Sequence, residues 1–203
     1  MELNLKLLLS VLVAFFALVN PVHKILVITS LQNQFDDKQL KYLSLKSSFT
    51  AFIILIFFLF LGELVFSYVF HIQLYAFKVT CGVVLFYNGI EGLQKGALLK
   101  IHKNIKLDDI LTVPIAMPMI AGPATITAAV TFPAHYGRVI TIISIFIALC
   151  INLLIMLYAK QIGKFLYRIN LLNALIRITG LIVATIGLQL VFDGISNFIS
   201  TLS

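Results

Sequence analysis

Apolar runs of about 20 residues, separated by short stretches rich in lysine, make up most of this chain. The runs do not alternate apolar and polar positions as half-buried strands do, and they are too evenly apolar for helices with one wet face. Each is long enough to cross a bilayer as a helix. The pattern predicts an all-α polytopic membrane protein with six transmembrane helices. The spans run over about Leu7 to Leu31, Phe49 to Phe70, Tyr75 to Leu93, Ile110 to Phe132, Val139 to Ala159 and Ala174 to Ile199. Two of them, the first and the fourth, are interrupted.

The fourth holds Val113-Pro114-Ile115-Ala116-Met117-Pro118-Met119-Ile120-Ala121-Gly122-Pro123-Ala124-Thr125-Ile126-Thr127. Proline lacks an N–H and clashes with the preceding turn, so it breaks or kinks a helix. In hydrocarbon, broken backbone is tolerated only where protein or a wet cavity satisfies it. Pro123 suits the first position of a new half-helix. That half-helix would turn the N–H groups of Ala124, Thr125 and Ile126 and a positive dipole end into the protein. The first span is cut at Asn20-Pro21-Val22-His23-Lys24. A kinked packing helix is the bland reading of either break, since proline and glycine are common in membrane helices. Splitting either span into paired re-entrant pieces also fits the pattern.

Composition settles the class. The chain of 203 residues is 61% hydrophobic and 11% charged, with mean hydropathy +1.06, against about 25% charged residues in soluble domains. A single integral membrane domain, 1–203, is expected. The net charge of +7 does not call for nucleic acid, because the basic residues are spread over short loops. Lys38, Lys41 and Lys46 fall between spans one and two. Lys95, Lys100, Lys103 and Lys106 fall between three and four, and Lys160, Lys164 and Arg168 between five and six. The other side carries Lys6, Lys78 and Arg138. The positive-inside rule then puts the lysine-rich loops in the cytoplasm and both termini outside. Leu7 to Val19 has the length of a signal-peptide core, but apolar sequence resumes after Lys24 and no small-x-small cleavage pattern follows, so a mature span is expected. Cys81 and Cys150 lie in apolar runs and are expected as buried thiols.

The halves resemble each other. Asn20-Pro21 and Gly122-Pro123 are 102 positions apart in a chain of 203. Lys78-Val79-Thr80 opens span three as Arg177-Ile178-Thr179 opens span six, and Tyr87-Asn88-Gly89-Ile90 has a counterpart in Phe192-Asp193-Gly194-Ile195. With three spans per half, a duplication gives two inverted three-helix repeats, about 1–100 and 101–203. At 1.5 Å per residue, Pro21 lies roughly 20 Å from the outer start of its span and Gly122 roughly 18 Å from the inner start of its own. In a core of about 30 Å, both breaks fall in the middle third. Paired interruptions of this kind point to a transporter binding site.

Thr112-Val113-Pro114-Ile115-Ala116-Met117-Pro118-Met119-Ile120-Ala121-Gly122-Pro123 resembles the proline-rich motif of the MarC family of bacterial inner-membrane proteins. Asn20-Pro21 resembles that family's first-span motif. Ala76-Phe77-Lys78-Val79-Thr80-Cys81-Gly82 resembles its third span, and Arg177-Ile178-Thr179-Gly180, Gln189 and Asp193-Gly194-Ile195 its sixth. The resemblance implies six spans in the inner membrane, and some relatives are described as transporters of small neutral amino acids. The chain departs from the family at His23 and Lys24, where a glycine and later a second proline are usual, and at Ala124, where a glycine is usual.

The candidate substrate-binding residues are therefore Asn20, Pro21, Gly122, Pro123, Ala124, Thr125 and Thr127. Asn20 could offer its amide to a ligand or simply cap the helix resuming at Pro21. A threonine could line the site or satisfy a helical carbonyl. Glu63 and Lys24 are coupling candidates, because ionisable residues inside a span are functional by default. Lys24 could instead snorkel, and Glu63 could face the outer interface. Lys78 and Arg177 are expected to anchor at interfaces, and Asp193, near the outer end of span six, could pair with Lys78 or Arg138. No metal motif, nucleophile elbow or phosphate loop occurs, so neither an enzyme nor a cofactor is expected. The expected function is secondary transport of a small polar solute such as a neutral amino acid by alternating access. The rivals are a non-transporting structural or interaction protein of the membrane, and a channel. The expected partners are the solute and the bilayer, with homo-oligomer formation left open.

Overall fold

The computed structural model describes residues 5–32, 35–95, 120–168 and 171–202. Regular structure among them is entirely helical. In chain order the helices are α1 (Leu5–Val19), α2 (Pro21–Leu31), α3 (Asp37–Leu64), α4 (Leu74–Lys95), α5 (Pro123–Tyr136), α6 (Arg138–Leu157), α7 (Ala159–Arg168) and α8 (Leu172–Ser200). Among the described residues, four stretches are long and apolar enough to cross a membrane: Leu5–Thr29, Asp37–Val69, Arg138–Leu157 and Asn173–Ser200. They correspond to the first, second, fifth and sixth expected spans. The third is α4, which carries Lys78, Asn88 and Glu91. The later part of the fourth is α5; its prolines Pro114 and Pro118 lie outside the described residues.

Local chemistry explains where the helices begin. The Asp36 carboxylate accepts from the Gln39 N–H at 2.7 Å, and the Gln39 amide oxygen accepts from the Asp36 N–H at 2.9 Å. This reciprocal cap starts α3, and Asp37 in its first turn complements the helix dipole. At the far end of α3 the helix widens into a π-turn, Val65–Val69, closed by the Ile72 N–H on the Phe66 carbonyl at 2.8 Å. There Phe66 packs on Phe77, at 4.1 Å between ring centres, and ties α3 to the start of α4.

The helices bury their small faces. On α3, Ser44, Ser47, Ser48, Ala51, Leu55 and Gly62 point inward, while Phe49, Ile53, Phe57 and Phe60 are exposed. Lipid is as apolar as leucine, so large side chains gain little by burial, and small ones let helices approach closely. The core runs through Phe15 of α1, Leu55 of α3, Ala129 of α5 and Ile145 of α6. Helices α4 and α8 form a second tight pair, in which glycines of each pack on the backbone of the other.

Two expectations are revised. Cys81 is buried as expected, but Cys150 is exposed on the outer face of α6, because Thr141, Ser144, Ala148 and Asn152 take its inner face. Lys78, expected at an interface, is buried, whereas Arg177 is exposed.

Candidate functional site

Both breaks are heads of helices, built differently. At the first, Asn20 adopts a left-handed conformation, φ 52° and ψ 70°, which asparagine tolerates better than most residues. Its N–H closes α1 on the carbonyls of Phe16 and Ala17, each at 3.2 Å. Its side-chain oxygen accepts from the His23 N–H at 3.3 Å, and Pro21 opens α2. The Asn20 oxygen thus acts as a cap, and its amide nitrogen is the group left for a ligand. Pro21 is buried and Asn20 half-buried.

At the second break, Gly122 is extended (φ −76°, ψ 174°) and Pro123 opens α5. The Thr125 hydroxyl reaches back to the carbonyls of Ile120 and Gly122, each at 2.9 Å, and so holds the broken backbone. Ile126 does not offer a free N–H as expected: it donates to the Gly122 carbonyl at 3.0 Å. Ala124 and Thr125 precede that first bond and supply the first-turn N–H groups. Thr127 donates to the Pro123 carbonyl at 2.8 Å. Ala124, Thr125 and Thr127 are buried; Pro123 is exposed.

The ring of Phe15 meets that of Phe132 edge-on, 5.4 Å between centres. Measured along each helix from that contact, Asn20 lies within roughly 8 Å and Gly122 within roughly 15 Å. Lys24, one turn beyond Asn20, is 2% exposed and points into the protein. Glu63 is exposed on α3, beside Gly62, which packs on Val130 of α5. Asp193 accepts from Gln189, one turn back on its own helix, at 2.9 Å.

Buried polar residues outside the two breaks also mark the interior. Ser144 and Asn152 of α6 are fully buried, and among the described residues the Ser144 hydroxyl and Asn152 carbonyl oxygen have no hydrogen-bond partner. The Asn152 amide reaches only the Met156 sulfur, at 3.4 Å. The Ser48 hydroxyl on α3 and Nε2 of His23 are likewise buried and without a partner among the described residues. Such groups cost about 1–3 kcal/mol each when left dry. On α6 the small or polar positions Thr141, Ser144, Ala148 and Asn152 recur every three to four residues in an otherwise apolar helix, and that spacing is the signal that could have singled out Ser144 and Asn152.

The model of the MarC family, described as integral membrane proteins, matches residues 5–199. The chain belongs to the MarC family. A membrane protein of Pyrococcus horikoshii, named UPF0056, is 33% identical over 98% of both chains. A UPF0056 membrane protein of Aquifex aeolicus is 31% identical, covering 92% of this chain and 91% of its own. One from Methanocaldococcus jannaschii is 28% identical over 90% of this chain and 92% of its own. No solved structure matches the chain. Family membership accounts for the chain as an integral membrane protein.

Proposed function

We propose that this MarC-family protein is a secondary transporter of a small polar solute, such as a neutral amino acid, working by alternating access. The observation that carries the reading is the pair of proline-headed helix starts, Asn20-Pro21 and Gly122-Pro123. Helix starts facing the protein interior at membrane depth suit a solute that brings its own polar groups. The solute contacts Asn20 and the Gly122–Thr125 turn, with Thr127 behind it. Lys24 is the coupling candidate on the buried side, and Glu63 the one on the exposed side. No catalytic residue enters this reading.

The two halves are inverted three-span repeats. Supporting this, the starts of α2 and α5, of α3 and α6, and of α4 and α8 are 102, 101 and 98 residues apart. A near-constant offset, with a shift of about four residues before the last helix, therefore relates three helices in each half, with α6 and α7 together standing where α3 stands. The protein resides in the inner membrane, with the lysine-rich loops in the cytoplasm and both termini outside.

Purified protein in liposomes, tested for uptake of a panel of labelled amino acids, checks this reading. Saturable uptake of small neutral members is expected. Absence of flux across the panel would favour a non-transporting membrane protein.

A further inference from the structure

At one end of the molecule, a small open cavity of about 130 Å³ lies between α2, α3 and the corner of α6 and α7. Lys41, Lys160 and Asp37 line it, with Leu40 and Leu157. Lys160 also lines a neighbouring groove of about 620 Å³, together with Lys164, Gln32 and Tyr167. Three lysines thus share this corner with one carboxylate. Asp37 pairs with Lys160, and Asp36 is held in the cap of α3 by the Gln39 N–H. Lys41 and Lys164 are exposed, without a carboxylate partner among the described residues. The corner therefore carries surplus positive charge.

A third groove, of about 300 Å³ and mostly apolar, runs between α3 and α6. It continues from the basic cavity. Lys41 and Leu157 line the cavity; one turn further along each helix, Leu45 and Leu153 line the groove. Leu45, Phe49 and Phe146 are exposed along it. At its far end the rings of Phe52 and Phe146 meet edge-on, 6.0 Å between centres. From Lys41 to Phe52, and from Leu157 to Phe146, is roughly 16 Å of helix. One leaflet supplies about half of a hydrocarbon core of about 30 Å, close to that length.

We propose that this surface binds one anionic glycerophospholipid, its headgroup phosphate at Lys41 and Lys160, with Lys164 adding charge, and an acyl chain in the α3–α6 groove. Basic pockets between helices at the membrane surface suit phosphate headgroups. The depth agrees. Helix α7 turns Leu166 into the core and leaves Lys164, Phe165 and Tyr167 outside. Exposed aromatic rings such as these, with Tyr158, gather at the level of lipid headgroups. A soluble phosphate would use the lysines and not the groove; a zwitterionic lipid would use the groove and not the surplus charge. A second copy of the chain in the same membrane would bring its own lysines to the same depth, like charge against like. The site does not depend on whether the protein moves a solute.

The test uses the full chain purified in detergent and native mass spectrometry. The probes are dioleoyl phosphatidylglycerol, dioleoyl phosphatidylcholine and glycerol phosphate. Phosphatidylglycerol is expected to be retained several-fold better than either of the others. Lys41→Gln combined with Lys164→Gln changes two exposed side chains and should remove most of that preference without altering thermal unfolding. A phosphatidylglycerol carrying a diazirine in its acyl chain then maps the groove, with crosslinks expected on Phe49, Phe146 and Cys150. Cys150→Trp fills the groove and should lose those crosslinks; it leaves the lysines untouched, so groove and headgroup site are tested separately. Equal retention of phosphatidylcholine, or a preference that survives the double lysine variant, overturns the headgroup site. Equal binding of glycerol phosphate assigns the lysines to a soluble anion and overturns the lipid. Crosslinks that fall on other surfaces, or that join two copies of the chain through α3 and α6, overturn the groove.

Discussion

Gly89 of α4 and Gly180 of α8 are packed reciprocally: a Cβ on Gly89 would lie 2.6 Å from the Gly180 carbonyl oxygen, and a Cβ on Gly180 would lie 2.9 Å from that of Gly89. Gly82 and Gly187 repeat the arrangement two turns away, at 2.6 and 2.7 Å. Gly194 packs on the Tyr75 carbonyl in the same way, so ascending positions on α4 meet descending ones on α8. The two helices are antiparallel and touch backbone to backbone.

This contact leaves no room for a methyl group at any of these glycines. Gly82→Ala or Gly187→Ala is expected to destabilise the protein by about 1–3 kcal/mol, the usual cost of overpacking. Helix–helix separation cannot relieve the clash without losing the pairing along its length. Thermal unfolding in detergent checks this, with Ile178→Ala on the exposed face of α8 as the control expected to change little. A Gly187→Ala protein as stable as its parent would show that α4 and α8 are not in this register.

Much of this architecture is legible in the sequence. The apolar runs place the helices, and Pro21 and Pro123 mark the starts of α2 and α5 because proline can open a helix but not continue one. The function of the glycines in α4 and α8 is not legible, because spacing alone does not say which helix they face. The exposure of Cys150 is not legible for a related reason. In a helix whose outer face meets lipid, apolar runs show length but not orientation, and the small or polar positions decide which face turns inward. The ion pair of Asp37 and Lys160 joins residues 123 positions apart, and no local pattern announces such a contact.

The orientation of the chain is open to direct measurement. Reporter fusions after Lys46 and Lys164 should read cytoplasmic, as should one after Lys103, which lies outside the described residues. A fusion at Ser203 should read periplasmic. These outcomes follow from the lysine bias of the loops together with an even number of crossings. A cytoplasmic reading at Ser203 would remove the six-span arrangement and with it the inverted halves.

The two breaks should be neighbours. The Phe15–Phe132 contact limits how far each lies along its helix from a shared point. Cysteines replacing Asn20 and Gly122, in a chain free of other thiols, are expected to join through a short bifunctional reagent. The pair Asn20 with Phe165, an exposed residue of α7, serves as a comparison expected to stay unlinked. Failure of the first pair to link, with both cysteines reactive, would place the breaks too far apart to share one solute.

The chemistry of the second break makes the sharpest prediction. Ile126 donates to the Gly122 carbonyl, so the donors offered by the turn are the N–H groups of Ala124 and Thr125 with the dipole of α5 behind them. A helix start favours an anion by a fraction to about one kcal/mol in water, and more when partly buried. A solute carboxylate is therefore the expected partner, approaching over Gly122, where no Cβ intervenes. Binding should depend on that carboxylate, and the amine lacking it should bind poorly. Gly122→Leu should abolish binding while leaving membrane insertion intact. Thr125→Val should act through the fold of the turn: its hydroxyl holds the carbonyls of Ile120 and Gly122, and although Gly122 keeps the Ile126 N–H, losing the hydroxyl costs about 1–3 kcal/mol of stability if the Ile120 carbonyl stays dry. Thr125→Ser keeps the donor and should retain both stability and binding. Calorimetric titration of the purified variants with an amino acid and with its decarboxylated amine separates these effects. Equal affinity for the two ligands would mean that the head of α5 does not hold the carboxylate, whatever the protein transports.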